Sequence, residues 1–300
     1  MFVRSTIKDC DMSRNLDLTA LRSFVAVAEA GGVTRAAGRL NLTQSAVSMQ
    51  LKRLETSLGI SLLNRSTRDI SPTAAGDRLL SYARRMLHLN DEAVAHISDT
   101  ADVGEVVLGV PVDIVDPAIP RVLRQFRSEF PRIRVQLMAE NTISLKQAFQ
   151  HGDCHMILTT EKGCDKNGRT LAELPLMWVG SQDGTAWENS PLPLVLGKSC
   201  LFRGHAIRAL ESAGIDWEII LEASAHRAIE AAVSADLAVE LLLKGTQRSS
   251  FELIDHQGRL PDLDTWQINV YRVADHSTRV LDRLEAMLKQ AFQEMATSNS

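Results

Sequence analysis

From Thr43 to Arg53 the chain reads Thr-Gln-Ser-Ala-Val-Ser-Met-Gln-Leu-Lys-Arg, a set of side chains able to read a nucleic acid. A Gln amide can bond an adenine edge in the major groove, and a Ser hydroxyl suits a base or a phosphate. Lys52 and Arg53 can hold the backbone or a guanine. Spacing matters as much as type. At about 100° per residue, Ser45, Ser48, Met49 and Lys52 share one helix face, while Val47, Leu51, Leu54 and Leu58 share the opposite one. Gln44 falls off the polar face but sits in the first turn, from which a long amide reaches outward. A further basic group, Arg65, Thr67 and Arg68, follows before Pro72, in a place suited to touching phosphates.

Other reactive residues are scattered. Cys200 opens the segment Cys-Leu-Phe-Arg-Gly-His205, where a helix N-terminus and Arg203 would lower a thiol pKa. Ala209 and Leu210 occupy the places where a second cysteine in the following helix would stand. His226 and Glu230 are four residues apart on a helix and could ligate a metal, but with no third ligand nearby a surface pair is the simpler reading. The four cysteines form no CxxC pair and no metal-ligand spacing with histidine, as in a protein with reduced thiols. Neither a metal nor a cofactor is expected. Phosphate-binding glycine loops, HExxH and GxSxG are all missing, which argues against the common enzyme classes.

The nucleic-acid residues need elements to carry them. Leu18, Leu21, Val25 and Ala28, with Phe24, make one apolar helix face, ended by Gly31-Gly32. Val33, Ala36, Ala37 and Leu40 make the next, the two alanines small enough for another helix to approach. Thr43 then serves as N-cap of a third helix running to Leu58 and stopped by Gly59. Two helices joined tightly, the second exposing small polar residues at its start, fit a helix-turn-helix. The stretch 60–72 reads as a two-stranded wing. A solvated helix face followed by a basic loop is the alternative. A long helix from Thr73 to Ser98 repeats Leu79, Ala83, Met86, Asn90, Ala93 and Ile97 as a heptad seam, open either to dimerisation or to packing on the preceding helices.

Charge divides along the same line. The 300 residues carry a net −4, which read whole would make DNA an unlikely partner. Yet residues 16–90 hold ten Lys/Arg against five Asp/Glu, and residues 91–300 hold 20 against 30. A basic reader joined to an acidic domain with another task is the better description. The start lacks the apolar run of a signal peptide, pattern begins only near Leu16, and Met12 is a candidate start. No stretch is apolar enough to span a membrane, so a cytoplasmic protein is expected.

The acidic part alternates strands and helices. Strands are expected at Val106–Val110, Ile133–Leu137, His155–Thr159, Pro193–Leu196, Trp217–Leu221 and Trp266–Arg272. Helices are expected at Ile119–Phe130, Ser144–His151, His205–Ala213 and Arg227–Ala235, with a last one burying Val280, Leu281, Leu284, Met287, Leu288, Ala291, Phe292 and Met295. That order makes two small α/β lobes with parallel strands.

Residues 17–97 closely resemble the DNA-binding domain of LysR-type transcriptional regulators. The likeness rests on Leu21-Arg-Ser-Phe-Val-Ala-Val-Ala-Glu29, Ala36-Ala37, Gln44-Ser-Ala-Val-Ser48, Leu51-Lys-Arg-Leu-Glu55, Leu58-Gly59, Leu62-Leu-Asn-Arg65 and Pro72-Thr-Ala-Ala-Gly76, in that order. Tyr82-Ala-Arg-Arg and Asn90-Asp-Glu-Ala93 resemble the subgroup that regulates flagellar genes. The resemblance implies base recognition by Gln44, Ser45, Ser48 and Lys52, with backbone support from Arg35, Arg65 and Arg68; Thr43 and Arg53 complete the candidate DNA-contacting set. It also implies that the long helix is an antiparallel dimerisation arm.

The looser match beyond it, through Cys200-Leu-Phe-Arg203 and Ala223–Ala235, implies a periplasmic-binding-protein-like effector domain. The expected fold is therefore α followed by α/β: a winged helix-turn-helix over 16–72, a linker helix over 73–101 and a two-lobed effector domain over 102–300. Expected partners are operator double-stranded DNA, a second copy or three further copies of the chain, and an unidentified small-molecule effector.

Ligands of such folds bind between lobes, at strand C-termini facing helix N-termini. Asp113, Asn141, Thr142, Ser144, Ser199, Cys200 and Ser224 meet that description, though loop capping explains each as well. The amides at Thr142–Ser144 favour an anion or a carbonyl; Asp113 favours a cation or a hydroxyl. His155 and Asp236 stand where the family usually has Asp and Gly. Peroxide-sensing members carry a reactive thiol near the position of Cys200, so a thiol-redox regulator is the alternative. A small-molecule-binding protein or enzyme without DNA function is the other.

Overall fold

The computed structural model describes residues 15–65, 70–97, 104–197, 200–223, 226–248, 250–273 and 279–297. The chain divides into two compact units, Met1–Ala101 and Asp102–Ser300.

The first unit opens with α1 (Leu18–Ala30), α2 (Val33–Leu40) and α3 (Gln44–Leu58). Each boundary has a local cause. Asp17 accepts a hydrogen bond from the Thr19 amide at 2.9 Å and starts α1, while Gly31, at φ +63°, ends it in the left-handed region that glycine adopts without strain. Thr43 Oγ1 accepts from the Ala46 amide at 3.2 Å to cap α3, and Gly59 at φ +69° closes it. The expected face of α1 is rotated. Ala20, Leu21, Phe24 and Val27 fill the core, whereas Leu18, Val25 and Ala28 lie at its edge or outside, because the Phe24 ring needs the central place and three alanines let neighbours close around it. Ala36 and Ala37 are buried beneath the helices, as are Val47, Leu51 and Leu54.

A two-stranded wing follows, β1 (Leu63–Arg65) antiparallel to β2 (Ile70–Pro72). Glu55 holds its root: the carboxylate accepts from the Leu62 amide at 2.8 Å and the Leu63 amide at 3.3 Å. Next, α4 (Ala74–Ile97) is capped by Thr73, whose Oγ1 accepts from the Gly76 amide at 3.0 Å. The first half of the expected seam packs inside this unit. Ala83 and Leu87 are buried, Leu79, Leu80 and Met86 lean on the same core, and Arg84–Glu29 (3.1 Å) and Arg22–Asp91 (2.5 Å) tie α4 to α1. Farther along, Asn90 is half-buried and donates to Asp91, Ala93 is exposed, and the Ile97 side chain lies outside the described residues.

The second unit contains β3 (Gly104–Pro111), α5 (Ala118–Glu129), β4 (Ile133–Glu140), α6 (Thr142–Gln150), β5 (Met156–Glu161), β6 (Gly168–Ser181), β7 (Leu192–Gly197), α7 (Arg203–Ser212), β8 (Trp217–Ala223), α8 (His226–Ser234), β9 (Glu240–Leu243), β10 (Phe251–Leu253), β11 (Thr265–Arg272) and α9 (Arg279–Thr297). Strand β3 lies parallel between β4 and β5, and β11 returns antiparallel between β5 and β6. Strand β6 links the lobes. Residues up to Pro175 pair with β11 in the first lobe, and residues from Leu176 pair with β9 and β10 in the second. Parallel β7 and β8, bridged from Leu194 to Val239, complete the second lobe. All eight side chains expected on one face of α9 are buried. Strands β6, β9 and β10 have no counterpart in the sequence reading.

Both departures from the family pattern have local explanations. The His155 Nδ1 accepts from the Val107 amide at 2.8 Å while its own amide donates to the Val107 carbonyl, so the ring pins β5 to β3. Asp236 sits at φ +50°, a conformation glycine takes more easily. It offsets that strain by accepting from the Thr185 and Ala186 amides at 2.9 and 3.1 Å.

Candidate nucleic-acid interface and effector cleft

On α3 the burial of Val47, Leu51 and Leu54 turns the other side outward. Gln44, Ser45, Ser48, Lys52 and Arg53 are all exposed there. Met49, which sequence reasoning placed on this face without a role, is 69% exposed. Two candidates have structural work of their own. Thr43 caps α3 and shares a hydrogen bond with Ser45 at 3.0 Å. Arg35 donates to the Gly31 carbonyl at 3.0 Å, closing the end of α1. Arg53 approaches Asp17 at 3.8 Å, yet its side chain is 79% exposed, so that pair is weak. The Arg65 side chain and all of Arg68 lie outside the described residues. Gly76 explains its motif: a Cβ there would stand 2.0 Å from the Leu62 carbonyl oxygen, so only glycine lets α4 cross the root of the wing.

The second candidate site is the cleft expected between the lobes of the second unit. Asp113, in a 3₁₀ turn after β3, accepts from Thr160 Oγ1 at 3.3 Å, and burial pushes its pKa up to about 6. Asn141 caps α6 through the Ser144 amide at 3.0 Å, and the buried Thr142 hydroxyl accepts from the Thr160 amide at 3.0 Å. These three residues are thereby fixed in place by capping and strand contacts. A groove of about 380 Å³ opens beside them, lined by Thr142, Lys146, Thr160, Lys162, Leu201 and Trp266 among others. Its two lysines are paired, Lys146 with Glu161 and with Asp165 (2.8 Å), Lys162 with Asp264 (2.5 Å). Ser199 and Ser224 lie outside the described residues.

Cys200 departs from expectation. Burial pushes its thiol up to about 11, the amides of Phe202 and Arg203 oppose that only in part, and the charges of Asp113 and Glu240 add to the rise. Arg203, expected to lower it, pairs instead with Glu222 at 2.6 Å. A protonated, half-buried thiol is a poor nucleophile, and the redox alternative loses its footing. Burial likewise pushes Cys154 up to about 11, while Cys164 is exposed.

Sequence reasoning missed the most unusual group here. Glu240, first residue of β9, is 7% exposed, and its Oε2 has no hydrogen-bond partner among the described residues. Burial pushes its pKa up to about 8, helped by the charges of Glu230 and Asp113 and opposed by Arg248. No periodicity marks a four-residue strand, so only its odd Glu before Leu-Leu-Leu243 hinted at it. His226 and Glu230 do meet, at 3.4 Å, though Glu230 is mostly enclosed and takes Arg248 at 2.7 Å. Arg248 also reaches Asp116 of the first lobe at 3.7 Å.

A winged helix-turn-helix followed by two α/β lobes is matched by two family profiles. "Bacterial regulatory helix-turn-helix protein, lysR family" covers residues 18–77, and "LysR substrate binding domain" covers residues 100–294. The chain belongs to the LysR-type transcriptional regulators. Among relatives, HTH-type transcriptional regulator PecT of Dickeya dadantii is 31% identical over 90% of this chain and 86% of that protein. HTH-type transcriptional regulator DgdR of Burkholderia cepacia is 32% identical over 84% of this chain and 86% of its own length. The crystal structure of ArgP from Mycobacterium tuberculosis superposes with a TM-score of 0.70 at 20% identity, covering 92% of this chain and 97% of that one, a likeness of fold. These matches reach the family and do not support the flagellar subgroup. Of the residues that suggested it, Arg84 is a tie to α1 and Tyr82 is exposed. This LysR-type regulator thus pairs a DNA-binding unit with an effector-binding one. Among the described residues, no helix is long and apolar enough to cross a membrane.

Proposed function

We propose that the regulator reads a pseudo-palindromic operator through α3, using Gln44, Ser45, Ser48 and Lys52 on base edges and Arg53, Arg65 and Arg68 on the backbone. The observation that carries this is the exposed polar face of α3 above a buried Val47–Leu51–Leu54 face. Arg35 and Thr43 act through the geometry of α1 and α3, with phosphate contact a secondary role.

A two-fold site needs a two-fold protein. Tyr82, Leu89 and Val94 are exposed apolar side chains on α4, which supports an arm for a homodimer or homotetramer. On this reading the DNA-binding segment spans 16–72, the arm 73–101 and the effector domain 102–300, in a cytoplasmic protein without enzymatic activity. A small molecule held between the lobes by Asp113, Thr142, Cys200 and their neighbours shifts the lobe equilibrium and so the operator affinity, by as much as it prefers one lobe arrangement.

The test is a mobility-shift titration on the regulator's own upstream DNA. Replacing Ser48 and Lys52 together by alanine should lower specific affinity by ~2–5 kcal/mol, since a good base contact is worth ~1–3. Lys52→Ala alone should reduce the salt slope by about 1. Unchanged operator affinity in the double variant refutes the assignment.

A further inference from the structure

We propose that the inter-lobe cleft takes an organic cation, an amine or guanidine, held between Asp113 and Glu240. The inference rests on the effector-sensing reading above and names the chemistry of its ligand. The sequence left that open, with α6 amides favouring an anion and Asp113 a cation. Glu240 decides it. A carboxyl group enclosed this deeply, with an oxygen that finds no partner among the described residues, is costly, and native proteins keep such groups where something else completes them.

The surroundings point the same way. The charges of Asp113 in the turn after β3, Glu230 on α8 and Arg248 act on Glu240, whose own charge bears on Cys200 after β7, while Asp116 meets Arg248 and His226 meets Glu230. Among the described residues Arg248 is the cation that opposes the rise at Glu240, and it already serves Glu230 at 2.7 Å and Asp116 at 3.7 Å. Glu240 therefore meets two like charges and one cation that is already engaged, and without a ligand it relieves the conflict by holding its proton into the neutral range, where Asp113, raised only to about 6, is mostly ionised. An ammonium or guanidinium would supply the charge and donate to the open Oε2. On the anion side the case is weaker, because Lys146 and Lys162 already have carboxylate partners and the Ser144 amide is taken by its cap. A metal is not favoured, because among the described residues no three His, Cys, Asp or Glu converge as ligands.

The experiment uses the full-length wild type and Glu240→Gln at pH about 8, where Glu240 is half ionised. Thermal unfolding is followed by tryptophan fluorescence, because all four tryptophans lie in the effector unit. The probes are agmatine, butane-1,4-diamine and, as the anion, succinate, each in the millimolar range. Agmatine or the diamine should raise the wild-type Tm by roughly 5–10 °C at ~100-fold excess over Kd. Glu240→Gln should bind that probe at least ~10-fold more weakly, having lost a charge-assisted bond. Calorimetry in two buffers should show proton release on binding at neutral pH.

No shift with either cation, equal shifts in both proteins, or a shift with succinate alone would overturn the assignment. A variant that fails to fold is recognised from its own unliganded melt; Asp113→Asn then stands in with the same expectation. Mobility shifts on the same samples separate the two claims. Operator binding with no cation response sinks the ligand class alone, whereas a cation response without operator binding sinks the regulator reading alone.

Discussion

Replacing Gly76 by alanine sets two rules of helix chemistry against each other. In a helix alanine is favoured over glycine by about 1 kcal/mol, so propensity predicts stabilisation. Packing predicts the reverse. The new Cβ would lie 2.0 Å from the Leu62 carbonyl oxygen, 3.1 Å from its carbon and 3.3 Å from Pro72 Cβ, so backbone must retreat by about 1 Å to reach a tolerable contact. Leu62 has little freedom to move. Its amide is held by Glu55 at 2.8 Å, its carbonyl accepts from Thr73 at 2.9 Å, and its side chain is buried in the core. Losing the Thr73 bond costs about 1 kcal/mol. Disturbing the Thr73 cap on Gly76 costs ~1 more, and displacing Leu62 adds ~1–3. Set against the propensity gain, the net is a loss of roughly 2–4 kcal/mol, or ~10–25 °C in Tm for a unit of this size.

The distribution of chromophores makes the assay clean. Residues 1–101 contain no tryptophan and the described ones among them are mostly helical, while all four tryptophans lie beyond them. Far-UV circular dichroism of the Gly76→Ala protein should therefore show an early loss of helix with no change in tryptophan fluorescence. Operator binding should weaken in parallel as the wing loses its root. A single transition like the wild type's, or a DNA-binding unit that melts higher, refutes the packing argument.

Other expectations follow from the same geometry. Glu240→Gln should stabilise the unliganded protein increasingly with pH. Below about 4.5 both folded and unfolded carboxyls are protonated; above it the unfolded chain releases its proton while the folded one retains it up to about 8, so the wild type loses stability through that window. The gap should reach on the order of 3 kcal/mol by pH 7, read from urea melts across that range; a flat difference contradicts it. Cys200→Ser should leave operator affinity unchanged, and peroxide should not alter the wild type, since the thiol is held up to about 11; mass spectrometry should find Cys164 alkylated before Cys154 and Cys200. Asp236→Gly should relieve the backbone at φ +50° yet lose two amide bonds, a net destabilisation of ~1–2 kcal/mol by thermal melt, and a more stable variant would show that strain outweighs capping.

What the sequence made legible was whatever local periodicity and capping chemistry encode. Thr43, Gly31 and Gly59 mark helix ends through their own side chains or their lack of one, and α9 shows its buried stripe at helical spacing. The polar face of α3 followed from the same angle. Longer-range facts were not legible. The face of α1 turned because Phe24, not the evenly spaced Leu18 and Val25, commands the volume between three helices. Cys200 looked activated because sequence places Arg203 beside it, but Arg203 is drawn to Glu222 on β8. Strand β6 hides since it serves two lobes in turn, so its burial alternates differently in its two halves.

The cleft was illegible for a reason that bears on the charge itself. Counted along the chain, the acidic excess of residues 91–300 looks like a surface property that discourages DNA from touching the effector unit. In the fold, part of it is internal. Asp113 arrives from the turn after β3, Glu230 from α8 and Glu240 from β9, more than a hundred residues apart at the extremes; the charges of Asp113 and Glu230 both bear on Glu240, and the Arg248 guanidinium that opposes them is paired with Glu230. Surface acid and enclosed acid answer different physics. The first is screened by salt and acts on approach; the second is barely screened and demands either a proton or a cation. Salt therefore separates the two roles: raising ionic strength should weaken operator binding steeply through the basic unit while leaving cation affinity at Glu240 nearly constant. A cation affinity that falls with salt as steeply as DNA binding would place the counter-charge on the surface, and Glu240 would lose its part.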